Sequence, residues 1–460
     1  MRVLGWLNRK SCMPDSNALQ KQHNEPRVRA ALKLLLAAVL VGSCFLFCPT
    51  QLKTASAEVR ADDMVNGQQL GNNNTVVLDA PDINAGYAAL CARDSTVLWE
   101  RNAQTQVPMA STTKIMTALV ALEHSTPATP MQVTYGAAMT EGSSADLKEG
   151  DTATLKDLLI CMMVPSGNDA SVAIAQNIAG TEFAFVNLMN EKAAQLGMTG
   201  TRYSNVSGLS DEGNYTTASD YMLLTRAVMA NDLFREIVGS KQVSATVSGE
   251  QRTYDSTNKL LGEMQGVNGV KTGFTDAAGY CLVAGAQRNG FELYAVVFNS
   301  NSENQRFVDA EALLEWGFAH YRTLELINST KPVASLAVVS WPDKTVPVVA
   351  ASPVSANVFD YAGGITQEVT LTEKPGSINA GDEVGSIVWT QDGEVIARVG
   401  LLATETVAEP DFWQGVGIWW QRFIGGFFGD AEHAESTTVL PETYDFSINY
   451  LANTTTAQAA

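Results

Sequence analysis

Cations are scarce in this chain. Of its 460 residues 30 are Lys or Arg, against 49 Asp or Glu, for a net charge of −19. A surface that grips phosphate needs clustered cations, so this balance argues against a nucleic-acid partner. It argues equally against simple attraction to anionic lipid headgroups. Cysteine is also rare. Six in this length cannot staple a disulfide scaffold. Histidine numbers four, with no pair at i, i+4 and none beside a Cys-x-x-Cys, so neither a metal site nor a metal cofactor is expected. What remains is an ordinary globular composition, 45% hydrophobic and 17% charged, long enough for two or three domains.

The two ends differ from the body. Arg27, Arg29 and Lys33 precede an apolar run from Leu34 to Cys48, and Thr54-Ala55-Ser56-Ala57 follows as a small-residue exit. Residues 1–57 therefore read as a secretory signal, with an uncleaved N-terminal anchor as the alternative. Its apolar run is shorter than the roughly 20 residues a spanning helix needs. The segment holds eight Lys/Arg and two Asp/Glu, so its removal takes the charge from −19 to −25. Three cysteines would remain, Cys91, Cys161 and Cys281, and an odd number cannot all pair internally. At the other end, residues 411–429 place Phe412, Trp413, Val416, Trp419, Trp420, Phe423, Ile424, Phe427 and Phe428 on one side of a helical projection. Trp and Phe in that number suit the outer face of a membrane; the alternative is a helix packed on the protein's own body. Residues 430–460 read as a disordered tail and 58–79 as a linker.

Between the ends the period changes twice. Two short strands surround Arg93-Asp94-Ser95, and helical patterns follow at about 111–123, 153–163, 167–179, 181–197, 216–230 and 232–238. Strand-like runs return at about 266–272, 279–286 and 291–299, before a helix over about 303–320. This order predicts an α+β domain over 80–325, with one antiparallel sheet built from both chain ends and a helical cluster inserted. Residues 326–405 are rich in Val, Thr, Pro and Gly in short alternating runs and read as a small all-β domain.

Three motifs carry chemistry: Ser111-Thr112-Thr113-Lys114, Ser166-Gly167-Asn168 and Lys271-Thr272-Gly273. The first opens a helix, so i, i+3 spacing sets Lys114 beside Ser111. A serine hydroxyl needs a neighbouring base, and no His stands between His124 and His320. An amine one turn away serves if burial and nearby cations lower its pKa, and Lys271 is a candidate for such a cation. Each motif alone is weak. A second Ser-x-x-Lys, Ser256-Thr257-Asn258-Lys259, begins no long amphipathic helix and reads as a turn.

The conjunction of one motif on a helix start, one between helices and one on a strand resembles the serine-active penicillin-recognising enzymes. It is most similar to the low-molecular-weight penicillin-binding proteins that act as D-alanyl-D-alanine carboxypeptidases. Asn205-Val206-Ser207-Gly208-Leu209, Thr217-Ala218-Ser219-Asp220, Asp255-Ser256-Thr257-Asn258-Lys259-Leu260-Leu261 and Gly269-Val270-Lys271-Thr272-Gly273-Phe274-Thr275 extend the likeness over about 80–325. The resemblance implies a β-lactamase/transpeptidase-like fold, β-lactam antibiotics as ligands and a peptidoglycan stem peptide ending in D-Ala-D-Ala as substrate. It implies Ser111 as nucleophile, Lys114 as acylation base and Ser166 as proton relay. Asn168, Lys271, Thr272 and Gly273 would hold the substrate, and the amides of Ser111 and Phe274 would form the oxyanion hole. Arg306 is a further candidate for the substrate carboxylate, with a surface helix arginine as the alternative. Asp220 and Asp276 read as caps or ion-pair partners. Gly167 stands where β-lactamases usually carry Asp, and no Glu-x-x-Leu-Asn follows. A β-lactamase, or a wall-binding scaffold with an idle site, remains the rival reading.

Overall fold

A computed structural model describes residues 63–65, 68–69, 80–428, 434–439 and 443–444. The segment read as a secretory signal lies outside these residues. Strands β1 (Asp63–Val65), β2 (Gln68–Gln69), β3 (Tyr87–Ala92) and β4 (Val97–Arg101) open the fold. A single 3-10 turn, Ala110–Thr113, leads into α1 (Lys114–His124). The hairpin pair β5 (Pro130–Gln132) and β6 (Thr152–Thr154) brackets α2 (Tyr135–Ala138). Then come α3 (Leu155–Met163), α4 (Asn168–Ala179), α5 (Glu182–Gln195), α6 (Ala218–Val228) and α7 (Asp232–Val238). A hairpin of β7 (Gln242–Val247) and β8 (Glu250–Asp255) precedes β9 (Val267–Thr275), β10 (Gly279–Arg288) and β11 (Phe291–Ser300), and α8 (Gln305–His320) closes the domain.

The main sheet is antiparallel, in the order β2-β1-β4-β3-β11-β10-β9. Period-2 alternation divides its side chains between two cores. Leu90, Leu282 and Leu293 pack with Leu313 and Leu314 of α8. Cys91, Val283 and Val296 pack with Ile115 of α1 and Tyr221 of α6. Burying such side chains is worth roughly 1.5–3 kcal/mol each, which is why a helix covers each face. Both chain ends thus feed one sheet around the helical cluster, as the strand–helix–strand order predicts. Cys91, Cys161 and Cys281 are free and buried.

The range read as a linker holds one correction. Asp63 pairs with Arg101 and Val65 with Trp99, so β1 is a strand of the sheet. Its anchor is a buried ion pair: Asp63 accepts from Arg101 Nε at 2.5 Å and Nη2 at 2.8 Å. Arg101 also donates to the carbonyl of Ile83 at 2.8 Å, so the charge is bound on several sides.

The second domain begins at β12 (Tyr321–Ile327), which pairs with β15 (Val354–Phe359). Strands β13 (Ala334–Ala337), β14 (Thr345–Ala350), β16 (Ile365–Leu371), β17 (Glu383–Gln391) and β18 (Glu394–Ala403) build a sheet around Leu336, Val346, Ile387, Trp389 and Leu401. Helix α9 (Phe412–Phe428) follows. After it, β19 (Thr437–Thr438) pairs with β13 and β20 (Thr443–Tyr444) with β16. Part of the stretch read as a disordered tail is therefore edge strand. Among the described residues no helix is long and apolar enough to cross a membrane.

Candidate active site

The nucleophile's turn is held in an unusual shape. Ala110 adopts φ 48°, a left-handed conformation that L-residues rarely take. Thr112 Oγ1 donates to the Met109 carbonyl at 2.5 Å, and Gly208 sits on the other side. A Cβ at Gly208 would lie 1.8 Å from the Ala110 carbonyl oxygen, so only glycine permits the approach. Ser111 is thereby presented half-buried, one turn before Lys114.

Lys114 is fully buried among apolar helices and directs Nζ at three oxygens. These are Ser111 Oγ at 3.0 Å, Asn168 Oδ1 at 2.6 Å and the Ser207 carbonyl at 2.7 Å. The amide of Asn168 is oriented by its own Nδ2, which donates to the Glu141 carbonyl at 2.6 Å. Asn168 Oδ1 and the Ser207 carbonyl can only accept. A neutral amine has two N–H groups, and these two acceptors use both, leaving its lone pair facing Ser111 Oγ. The electrostatics favour that neutral form. Burial, then the charge of Lys271, hold the Lys114 amine well below the ordinary ammonium range, with Asp169 opposing.

The second motif lies on the loop into α4. Asp169, fully buried, accepts from the amides of Ala145 at 3.0 Å and Leu147 at 3.1 Å and from Ser144 Oγ at 2.7 Å. This buried carboxylate folds the 143–147 loop against α4, and the Ser143 carbonyl in turn accepts from the Asn168 amide at 2.7 Å. Ser166 is buried, at φ 71°, two residues ahead of the asparagine that touches Lys114.

The third motif lies on β9, the terminal strand of the sheet, where one backbone edge stays outside the ladder. Gly273 presses on the nucleophile's turn: a Cβ there would lie 3.2 Å from the Ser111 amide nitrogen. Lys271 is buried and donates to the Thr272 carbonyl at 2.9 Å. Burial, then Arg306, push its pKa down to about 7. Arg306 is 7% exposed, donates to the Gly273 carbonyl at 3.0 Å and lies over the Tyr280 ring at 5.6 Å. It is therefore a buried support of β9 and not a surface helix arginine. The Phe274 ring is 48% exposed and stacks on Tyr280 at 4.4 Å. A cavity of about 250 Å³ opens beside the turn, walled by Met109, Ala110, Leu209 and Thr275.

Ser111, Lys114 and Asn168 thus form one bonded cluster, with β9 against the turn and Arg306 behind it. Asp220 is structural: it accepts from the Gly200 amide at 2.9 Å and Thr201 Oγ1 at 2.6 Å. The carbonyls of Ser207 and Glu141, and the Asp169 carboxylate, were not foreseen. Backbone acceptors carry no side-chain signature, although Ser207-Gly208 lay within the segment that carries the family likeness.

A serine with a buried lysine of lowered pKa one turn away, at the edge of an antiparallel sheet, defines a serine acyl-transfer site. The comparisons agree. Residues 74–302 match the family model described as D-alanyl-D-alanine carboxypeptidase, and 321–409 match that of the penicillin-binding protein 5 C-terminal domain. The D-alanyl-D-alanine carboxypeptidase DacF of Bacillus subtilis is 30% identical over 338 residues, 71% of this chain and 87% of the relative. DacC of Escherichia coli is 30% identical over 416 residues, 86% of this chain and 98% of the relative. The crystal structure of the D-alanyl-D-alanine carboxypeptidase DacD from Francisella tularensis superimposes with TM-score 0.54 at 26% identity, covering 73% of this chain and 97% of that one. The chain belongs to the D-alanyl-D-alanine carboxypeptidase family.

Proposed function

We propose that Ser111 removes the terminal D-alanine of peptidoglycan stem peptides through an acyl-enzyme, and that penicillin acylates the same hydroxyl. The observation that carries this is the Lys114 amine, aimed at Ser111 Oγ with its other hydrogen-bonding capacity spent. Ser111 Oγ attacks the penultimate carbonyl carbon while its proton passes to Lys114 Nζ. The oxyanion rests on the amides of Ser111 and Phe274, donors of a kind worth roughly 10²–10³ in rate each. The C–N bond then breaks, a proton reaches the leaving nitrogen through Ser166, and D-alanine departs. Water, deprotonated by Lys114, attacks the ester carbonyl and returns Ser111 to its hydroxyl form. Asn168 holds both lysine and substrate backbone, Gly273 keeps β9 close to the turn, Lys271 supplies positive potential and Thr272 meets the terminal carboxylate. Arg306 adds charge behind them.

Intact mass after benzylpenicillin tests this. A stable adduct on Ser111 is expected, and Ser111→Ala and Lys114→Ala should abolish labelling and D-alanine release about equally, because groups acting as a unit fail as one. Labelling that survives in Ser111→Ala but vanishes in Ser256→Ala would overturn the assignment, and rapid turnover of the drug would make the enzyme a β-lactamase.

The same reading places the chain outside the cytoplasm, with α9 flat on the outer face of the cytoplasmic membrane. What supports it is the export-like N-terminal segment and the exposure of Phe412 (75%), Trp413 (78%), Trp419 (60%) and Trp420 (55%) along one helix.

A further inference from the structure

The second Ser-x-x-Lys of the sequence, 256–259, is bound into the catalytic centre. Asn258 is buried and donates from Nδ2 to the Gly269 carbonyl at 2.9 Å, just ahead of Lys271 on β9. The Thr257 amide donates to the Val164 carbonyl at 3.4 Å, at the head of the loop that carries Ser166. Lys259 pairs with Glu303 at 2.8 Å, and Glu303 stands 3.9 Å from Arg306. At the centre of this bridge Thr257 Oγ1 and Thr272 Oγ1 share a hydrogen bond of 2.7 Å.

We infer that Thr257 is a positioning residue: its hydroxyl fixes the direction of the Thr272 proton and so selects substrates ending in a free carboxylate. The inference rests on the carboxypeptidase reading, in which Thr272 meets that carboxylate. Proton counting carries it. Two hydroxyls 2.7 Å apart hold two protons, one of which lies between the oxygens. Thr272 can offer its proton to a ligand only when Thr257 supplies the one in between. A carboxylate oxygen accepts and never donates, so it selects the arrangement Thr257 O–H to Thr272 Oγ1, Thr272 O–H to carboxylate. In that chain each bond polarises the next, and the terminal donor is stronger than a lone hydroxyl. A C-terminal amide presents an N–H as well as a carbonyl, and it can satisfy the pair in either direction. Thr257 thus contributes to discrimination without touching the scissile bond. Thr272 is 5% exposed, so a misdirected proton there would face little water able to replace the lost order.

The test measures kcat and KM on a D-Ala-D-Ala peptide and on its C-terminal amide, with the full chain carrying Thr257→Val, Thr257→Ser or Thr272→Val. Thr257→Val should lower kcat/KM on the acid about tenfold, the order of one oriented hydrogen bond to a charged group, and change the amide less than twofold. The loss should fall mainly on KM. Thr257→Ser keeps the hydroxyl and should stay within about twofold of the parent on both. Thr272→Val is the reference: if it leaves acid-over-amide selectivity intact, the carboxylate assignment itself is wrong. If Thr272→Val destroys selectivity while Thr257→Val leaves it intact, or lowers both substrates equally, or is not rescued by Ser, the positioning role of Thr257 is refuted and the segment is a structural brace.

Discussion

Two buried lysines a short distance apart divide one task by their surroundings. Lys114 is surrounded by acceptors and apolar helix, and burial, then the charge of Lys271, hold its pKa well below the ordinary ammonium range. Lys271 titrates near 7, lowered first by burial and then by Arg306. The signs give a pH profile for kcat/KM, which reports the free enzyme. In its proposed role Lys271 attracts the substrate carboxylate as an ammonium below about 7; above it that charge is lost, so kcat/KM should fall as pH climbs through about 7. In its proposed role as base Lys114 must be neutral to accept a proton, and the lowering of its pKa by burial and by Lys271 favours that form. Arg306→Gln removes a positive neighbour, so the Lys271 pKa should rise and the alkaline limb move to higher pH. The larger cause, burial, remains, so the limb should stop short of an ordinary lysine value. Arg306→Lys keeps the charge and should leave the limb in place. Steady-state rates between pH 5 and 10 decide this; an unmoved limb in Arg306→Gln would assign it to another group.

At the scale of elements, the second motif depends on a residue that is absent as a side chain. A Cβ on Gly167 would meet Asp169 Oδ1 at 2.6 Å, the Cys161 carbonyl at 2.8 Å and Ala145 Cβ at 3.0 Å. None can yield easily, since Asp169 is held by several donors and Cys161 lies in the last turn of α3. This is a physical reason for glycine at this position. Gly167→Ala should cost about 1–3 kcal/mol of overpacking and displace Ser166 and Asn168 together. A lower thermal midpoint with slower penicillin acylation is expected; an unchanged midpoint with full activity would show that the loop accommodates the methyl. The motifs, and the helices and central strands around them, were legible because each joins a strong local pattern to a chemically unusual residue set. The β7–β8 hairpin was not: in β7 Gln242, Ser244 and Thr246 alternate with Val243, Ala245 and Val247, but its partner β8, Glu250–Asp255, is polar at every position except Tyr254 and carries no apolar period of its own. Strand β1 was not, because it is fixed by Asp63 reaching Arg101, 38 residues away. Thr257 was visible only as a false copy of the nucleophile motif; its bond to Thr272 exists because tertiary folding brings β9 beside it.

For the whole molecule the open question is what the exposed face of α9 meets. Large apolar side chains fully removed from water are worth roughly 1.5–3 kcal/mol each. Phe412, Trp413, Val416, Trp419, Trp420, Phe423 and Ile424 are between 39% and 78% exposed, so partial burial of each would amount to several kcal/mol. Electrostatics oppose adsorption to an anionic surface: the chain carries −19 overall, and only Arg422 is basic within α9. Binding should therefore be hydrophobic, resisting salt and yielding to detergent. Deleting the C-terminal region is a poor test, because Thr437–Thr438 pairs with β13 and its loss would disturb the second domain. The better variant changes Trp413, Trp419, Trp420 and Phe423 to Ser within the intact chain. Both forms should begin at Glu58, so that the apolar run of Leu34 to Cys48 cannot hold the protein by itself. On flotation with phosphatidylglycerol-containing liposomes, the parent should rise with the vesicles in 1 M salt while the four-fold variant stays below, with equal D-alanine release from soluble peptide by both. A variant that floats as well as its parent, or a parent stripped by salt, would remove α9 from the membrane and leave its aromatic face to a protein partner.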